Sequence, residues 1–148
     1  MILDKRTQFA AAQAVGATAI SDTIDTGVAR DIGNGEGLFL VIQATEAATA
    51  AGAATVVFSL ESDSTADLAT APVVHFATPA IGKATLVVGY VAAVIALPLA
   101  DYKRYVGVRF TVATGPLTAG KFNAFLTREP ARWRAHARNR QEFWNGTS

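Results

Sequence analysis

Short runs of alternating apolar and polar residues, separated by clusters of Gly, Ser, Asp and Pro, recur along this chain. A period of two sends successive side chains to opposite faces of a strand, and the clusters between runs are turn chemistry. The pattern predicts strands at 20–24, 38–45, 54–62, 73–78, 85–88, 91–97, 104–114 and 121–128. Eight short strands imply an all-β domain, either a two-sheet sandwich or a barrel. In the 104–114 run, Val106, Val108, Phe110 and Val112 share one face while Gly107, Arg109 and Thr111 take the other. In the last run, Phe122, Ala124 and Leu126 share a face, and Phe125 falls on the polar side as an outward-facing aromatic. Turns are expected at Gly33-Asn34-Gly35-Glu36-Gly37, at the polar stretch 61–67 and at Gly115-Pro116. The Ala-rich stretch 47–54 fits a short helix or a loop, and residues 5–14 fit a helical turn or an extended arm.

With 148 residues the chain can bury roughly 68–70% of its unfolded surface, enough for one core without metal or disulfide support. It contains no cysteine, which excludes thiol catalysis, iron–sulfur clusters and Cys-based metal sites and leaves the compartment open. Asp4, Lys5 and Arg6 interrupt the apolar stretch that a secretory signal would need at the start. Residues 84–100 carry no charge over 17 positions, at the lower length limit of a membrane helix. Their many β-branched residues, with Gly89 and Pro98, instead predict buried strands, and no membrane span is expected.

Groups that could converge on chemistry are few. His75 and His136 are the only imidazoles, and His75 sits in an apolar strand with the parity opposite to Val74 and Phe76, as a sheet-surface residue. The spacing of Asp31, Glu36 and the glycines between them misses the calcium-loop, dinucleotide and P-loop patterns, so the segment is read as a turn. No catalytic residue, metal or cofactor is assigned. The composition changes after Pro130: residues 1–127 hold 8 bases and 10 acids, whereas 128–148 hold 5 bases and 2 acids together with both tryptophans. With a whole-chain net charge of only +1, this basic and aromatic extension fits an arm on a partner protein better than self-docking or a nucleic-acid contact. Asn145-Gly146-Thr147 is a sequon by spelling alone.

Several short motifs, taken in order, resemble the jelly-roll capsid cement (decoration or stapling) proteins of short-tailed double-stranded DNA phages. They are Met1-Ile2-Leu3-Asp4-Lys5 with Phe9 and Ala12-Gln13-Ala14, then Ile24-Asp25, Gly27, Arg30-Asp31-Ile32-Gly33 and Gly35-Glu36 before Leu38-Phe39-Leu40-Val41. Leu60-Glu61-Ser62-Asp63-Ser64, Leu97-Pro98, Arg104-Tyr105-Val106 and Thr118-Ala119-Gly120-Lys121 continue the series. The likeness spans about residues 1–127, and the segment 128–148 departs from it.

The resemblance implies a jelly-roll-type antiparallel β-sandwich with an N-terminal arm (1–127) and a separate arm or short helix (128–148). It further implies a non-enzymatic virion protein, made in the host cytoplasm, that sits on the outer capsid surface and staples neighbouring major capsid protein subunits. Self-association as a homodimer, with a trimer as the other option, belongs to the same expectation, and neither nucleic acid nor membrane is an expected partner. The expected contact residues are Asp4, Lys5, Arg6 and Phe9 in the first arm and Arg132, Trp133, Arg134 and Trp144 in the second. The competing class is a carbohydrate-binding sandwich, for which Tyr90, Tyr102, Tyr105, Trp133 and Trp144 would supply stacking rings. Rings that are buried or scattered would remove its basis.

Overall fold

The computed structural model describes residues 8–27, 38–98 and 100–127. Its strands are β1 (Gln8–Ala14), β2 (Ala19–Ile20), β3 (Ile24–Asp25), β4 (Phe39–Thr49), β5 (Thr55–Asp63), β6 (Val73–Ala77), β7 (Ile81–Gly82), β8 (Val91–Ala96), β9 (Tyr105–Ala113) and β10 (Ala119–Thr127). They form two antiparallel sheets, one ordered β1-β10-β4-β8 and the other β2-β9-β5-β6, with β3 on β9 and β7 on β5. With β2 and β3 taken as one interrupted strand, and β6 and β7 as another, the sheets read first-eighth-third-sixth and second-seventh-fourth-fifth. That is the strand order of a jelly roll, and the all-β sandwich agrees with the expectation from alternation.

Alternation explains where the core lies. Leu40, Ile42 and Ala44 of β4 and Phe122, Ala124 and Leu126 of β10 face Val56, Phe58 and Leu60 of β5 and Val106, Val108 and Phe110 of β9. At the centre, Phe58 meets Phe110 and Phe122 edge-on at 5.8 and 5.1 Å between centroids, and Phe110 stacks on Phe122 at 5.9 Å. Quadrupole-favoured ring pairs of this kind tie one sheet to the other.

Four expectations are corrected. Residues 8–14 form a strand and not a helical turn, because Phe9 and Ala10 are core residues and β1 pairs with β10. The Ala-rich stretch is strand up to Thr49, since the small side chain of Ala48 reaches the core without the bulk a strand usually supplies. Residues 85–88 form a turn in place of a strand, with the Tyr90 N–H bonded to the Val87 carbonyl and Gly89 at φ +85°. The polar turn begins only after Asp63, because Glu61, Ser62 and Asp63 are buried members of β5. Among the described residues no helix is long and apolar enough to cross a membrane.

Gly107 shows how closely the segments approach on the outer face of the second sheet. A Cβ there would lie 2.9 Å from Thr23 Cγ2 and 3.0 Å from Leu68 Cδ1. The missing side chain lets the 21–23 segment and the loop after β5 both lie against β9. Ser21 replaces a ladder partner at this place, its N–H bonding the Val108 carbonyl and its hydroxyl accepting from the Val108 N–H.

Candidate interaction surface

Strand register brings three chain exits to one end of the first sheet. Gln8, where β1 begins, lies opposite Phe125 of β10, and Thr127, where β10 ends, lies opposite Phe39 at the start of β4. Segments 1–7, 28–37 and 128–148 therefore all join the described fold at the same end. The facing end of the second sheet is charged. There Arg104 makes a bidentate pair with Asp25, Nε to Oδ1 at 2.8 Å and Nη2 to Oδ2 at 2.9 Å, and its guanidinium lies 5.1 Å from the Tyr105 ring centroid. The Arg104 hydrogen bonds, followed by the Gly27 N–H, hold the Asp25 carboxyl below its ordinary range.

The opposite end is built differently. The Val15 N–H bonds the Gly120 carbonyl, the Leu117 N–H the Gly16 carbonyl, the Thr118 N–H the Thr49 carbonyl and the Lys83 N–H the Ala54 carbonyl. Its loops are mostly small and uncharged, so the sandwich is polarised from end to end.

Beside the charged end a polar network pins residues 64–71 to the sheet. Burial pushes the Asp63 carboxyl up, but the Ala71, Ser64 and Thr70 N–H groups and the Ser64 hydroxyl outweigh it and leave the pKa lowered. Accepting several N–H bonds is a strong reason for a carboxylate to stay ionised. Glu61 accepts from Arg109 Nε at 3.0 Å and from the Ser59 hydroxyl at 2.7 Å, while Arg109 Nη2 bonds the Leu68 carbonyl at 2.6 Å. Leu68 is fully buried with φ +51°, held there by the same network.

His75 lies half-buried on the sheet and is tied into this polar network. A bulge between Leu60/Phe76 and Glu61/Val74 gives β6 an extra residue, and that residue is His75. Its Nε2 lies 2.6 Å from the buried Ser62 hydroxyl, whose oxygen also accepts the Lys103 N–H at 3.0 Å, and its ring lies 4.1 Å from that of Tyr102. Burial lowers its pKa below the ordinary 6.5. The unfolded chain then binds a proton that the folded chain does not, so folding stability falls as pH drops through and below about 6.5. Denaturant midpoints measured from pH 5 to 8 are expected to fall at the acid end, and His75→Gln is expected to flatten that dependence relative to the unsubstituted protein.

The predicted contact residues divide as follows. Phe9 is 1% exposed, and its ring faces the core and not a partner. Asp4, Lys5, Arg6, Arg132, Trp133, Arg134 and Trp144 lie outside the described residues, as do Asp31, Glu36 and the sequon. Phe125 does lie on the outer side of its strand, yet it is 1% exposed and sits in a cross-strand row with Val41 and Val94, so it is not a free aromatic. Among the described residues no group of three His, Cys, Asp or Glu side chains could hold a metal ion.

Of the stacking rings proposed for a glycan, the three among the described residues do not form one platform. Tyr102 is fully buried with its hydroxyl donated to the Pro98 carbonyl, Tyr90 packs on the core beside Ala44, and Tyr105 lies at the charged end under Arg104. The sequence reading also missed the 64–71 clamp. Its only signals are the acids ending a strand at Glu61 and Asp63 and the lone Arg109 on the outer parity of another strand.

A family model described as Bbp16 matches residues 9–126, nearly the whole sandwich from β1 to β10. The chain belongs to the Bbp16 family. This family is associated with bacteriophages. No curated protein matches the chain. The Bbp16 match ends at residue 126, two positions before the basic and aromatic extension begins at residue 128.

Proposed function

We propose that this Bbp16-family protein is a non-enzymatic virion protein that binds the outside of a phage capsid and staples neighbouring major capsid protein subunits. The observation that carries the reading is the convergence of chain exits: β1 begins and β10 ends on adjacent strands at one end of the first sheet. Two arms of different chemistry, with Asp4, Lys5 and Arg6 in one and Arg132, Trp133, Arg134 and Trp144 in the other, are thereby tethered to a single corner of a rigid body. Arms that share an anchor engage a surface at high effective concentration once either has bound, which is the physical requirement of a clamp across a joint. Arg and Trp are also residue types that concentrate binding energy in protein interfaces.

Stapling strengthens a shell by mass action. A protein that binds only the assembled joint at a free concentration of about 100 times its Kd adds about 2.7 kcal/mol per site against opening, repeated at every occupied joint. The test is co-sedimentation of the full-length protein with capsid shells of the cognate phage that lack it. Saturation at a fixed ratio to the shell subunits, with a raised disruption temperature, is expected. Replacing Arg132, Trp133 and Arg134 together by alanine is expected to weaken binding by roughly 30-fold or more, the effect of losing at least one hot spot of about 2 kcal/mol. Absence of sedimentation with shells at near-physiological salt would reject the stapling reading.

A further inference from the structure

The two inner strands of the first sheet are apolar on both faces at one end. Leu38-Phe39-Leu40-Val41-Ile42, entering β4, and Ala124-Phe125-Leu126 of β10 are unbroken apolar runs. Leu40, Ile42, Ala124 and Leu126 face the core. Parity therefore sends Phe39, Val41 and Phe125 to the outer side, where Val94 of β8 joins the row. One row further from the chain exits, the same side turns polar with Asn123 and Gln43. A strand with one wet face alternates, whereas an unbroken apolar run is the mark of a strand covered on both.

The burial agrees. Within the single chain Val41 is 0% exposed and Phe125 1%, although both stand outside the cluster of core residues. Neighbours in one sheet cover the flanks of a side chain and leave its tip open to water, so burial this complete needs atoms above the sheet. Among the described residues no strand lies beyond this face. Phe125 and Thr127, both on this side, each have a further interaction partner.

The segments that could supply the cover are not equivalent. Residues 1–7 join the fold at the edge strand β1, with Asp4, Lys5 and Arg6 close to the junction. Residues 28–37 have to bridge from β3 of the second sheet to β4 of the first, and their only large apolar residues are Val28 and Ile32. Residues 128–148 leave from Thr127, which lies on this side of an inner strand two positions beyond Phe125, and they carry Trp133, Phe143 and Trp144. Pro130 lacks the N–H that a continuing ladder needs. Trp133 follows Thr127 by six residues, a reach of up to roughly 20 Å, whereas Phe125 lies only about 7 Å back along the strand.

We propose that residues 128–148 fold back over the outer face of the first sheet and seat the Trp133 ring on Phe125 and Val41. The tether is short, so closing it costs little chain entropy, and an indole on a phenyl ring removes a large apolar area from water. Arg132 and Arg134 bracket Trp133 in the sequence. A ring seated inward leaves both guanidiniums at the surface, where an acidic partner can reach them. The proposal stands apart from the stapling reading, since its test contains no capsid.

The chain's two tryptophans both lie in this segment, so indole fluorescence reports on it alone. The test uses the full-length protein carrying Trp144→Phe, which leaves Trp133 as the single reporter. Its emission is expected to be blue-shifted, and its acrylamide quenching constant severalfold lower, relative to the same protein unfolded in urea. Neither is expected to change on about a hundredfold dilution, because the contact lies within one chain. Phe125→Ala is expected to raise the quenching constant, whereas Val74→Ser, on the second sheet, leaves it unchanged. Trp133→Ala, which lies outside the sandwich core, is expected to keep the circular dichroism spectrum and to increase binding of an apolar anilinonaphthalene dye. In urea unfolding, Phe125→Ala and Trp133→Ala together are expected to lower the folding constant about threefold less than the product of their separate effects. A Trp133 quenched in the folded protein as readily as in urea, or indifferent to Phe125→Ala in a folded variant, overturns the proposal. Protection that disappears on dilution also overturns it, and assigns the cover to a second copy's segment.

Discussion

Replacing Phe122 with alanine is expected to lower the unfolding free energy by about 3–5 kcal/mol, the range for removing a buried ring that leaves a cavity. Phe122 comes from the first sheet and touches Phe58 and Phe110 of the second, so its ring is the contact through which the two layers lock. Its loss removes apolar burial and both ring pairings at once. Against a total stability of about 5–15 kcal/mol for a domain, the variant would sit near the limit of folding at 37 °C. Equilibrium denaturation in urea measures it, with Phe122→Leu expected to lose less than half as much. Lys121→Ala, one residue away on the exposed face, should stay within about 0.5 kcal/mol. Equal losses at both positions would mean that the register of β10 is not as described.

The second large effect is expected at Glu61. Its carboxylate is buried and receives Arg109 Nε and the Ser59 hydroxyl, so Glu61→Ala leaves a guanidinium held only by the Leu68 carbonyl among these contacts. Breaking a fully buried ion pair costs about 3–5 kcal/mol. The Arg109 side chain is about one quarter exposed and can regain water, which reduces the expected loss to about 2–3 kcal/mol. Because Arg109 reaches across to the loop, the loss has a local signature: cleavage between residues 64 and 71 by a broad-specificity protease should accelerate. The paired variant Glu61→Ala with Arg109→Met removes the stranded charge, and its loss should fall short of the sum of the single losses by at least about 1 kcal/mol. Additive losses would show that the two side chains do not act as a pair.

Asp63 acts beside this pair through backbone donors. Its carboxyl is held low, so its stabilising contribution is present at neutral pH and is lost as pH falls through its folded value. His75 acts in the same direction, its effect beginning as pH drops through about 6.5, so both groups make the fold acid-sensitive.

Period-two alternation was sufficient to place the cores of β9 and β10, because a strand with one buried face writes that face into every second residue. It failed where burial is not alternate or not bulky. β1 was obscured by a run of alanines, whose small side chains carry no strand preference although Phe9 and Ala10 are core. Glu61 and Ser62 fell in both the expected strand and the expected turn, and Asp63 in the turn alone, because polar residues are usually exposed and only partners elsewhere, such as Arg109, His75 and the Thr70 N–H, make their burial tolerable. Phe125 was assigned to the correct face and the wrong environment, since parity fixes direction but not what lies beyond it.

By itself the sequence determined an all-β domain, the turn at Gly115-Pro116 and the sharp change of composition at residue 128, since all three depend on local periodicity and residue type. The pairing of strands, and with it the jelly-roll order and the meeting of the chain exits at one end, was decided only in three dimensions. These features depend on contacts between residues far apart in the chain, such as Gln8 with Phe125 and Asp63 with Tyr105, and no local pattern encodes such a contact.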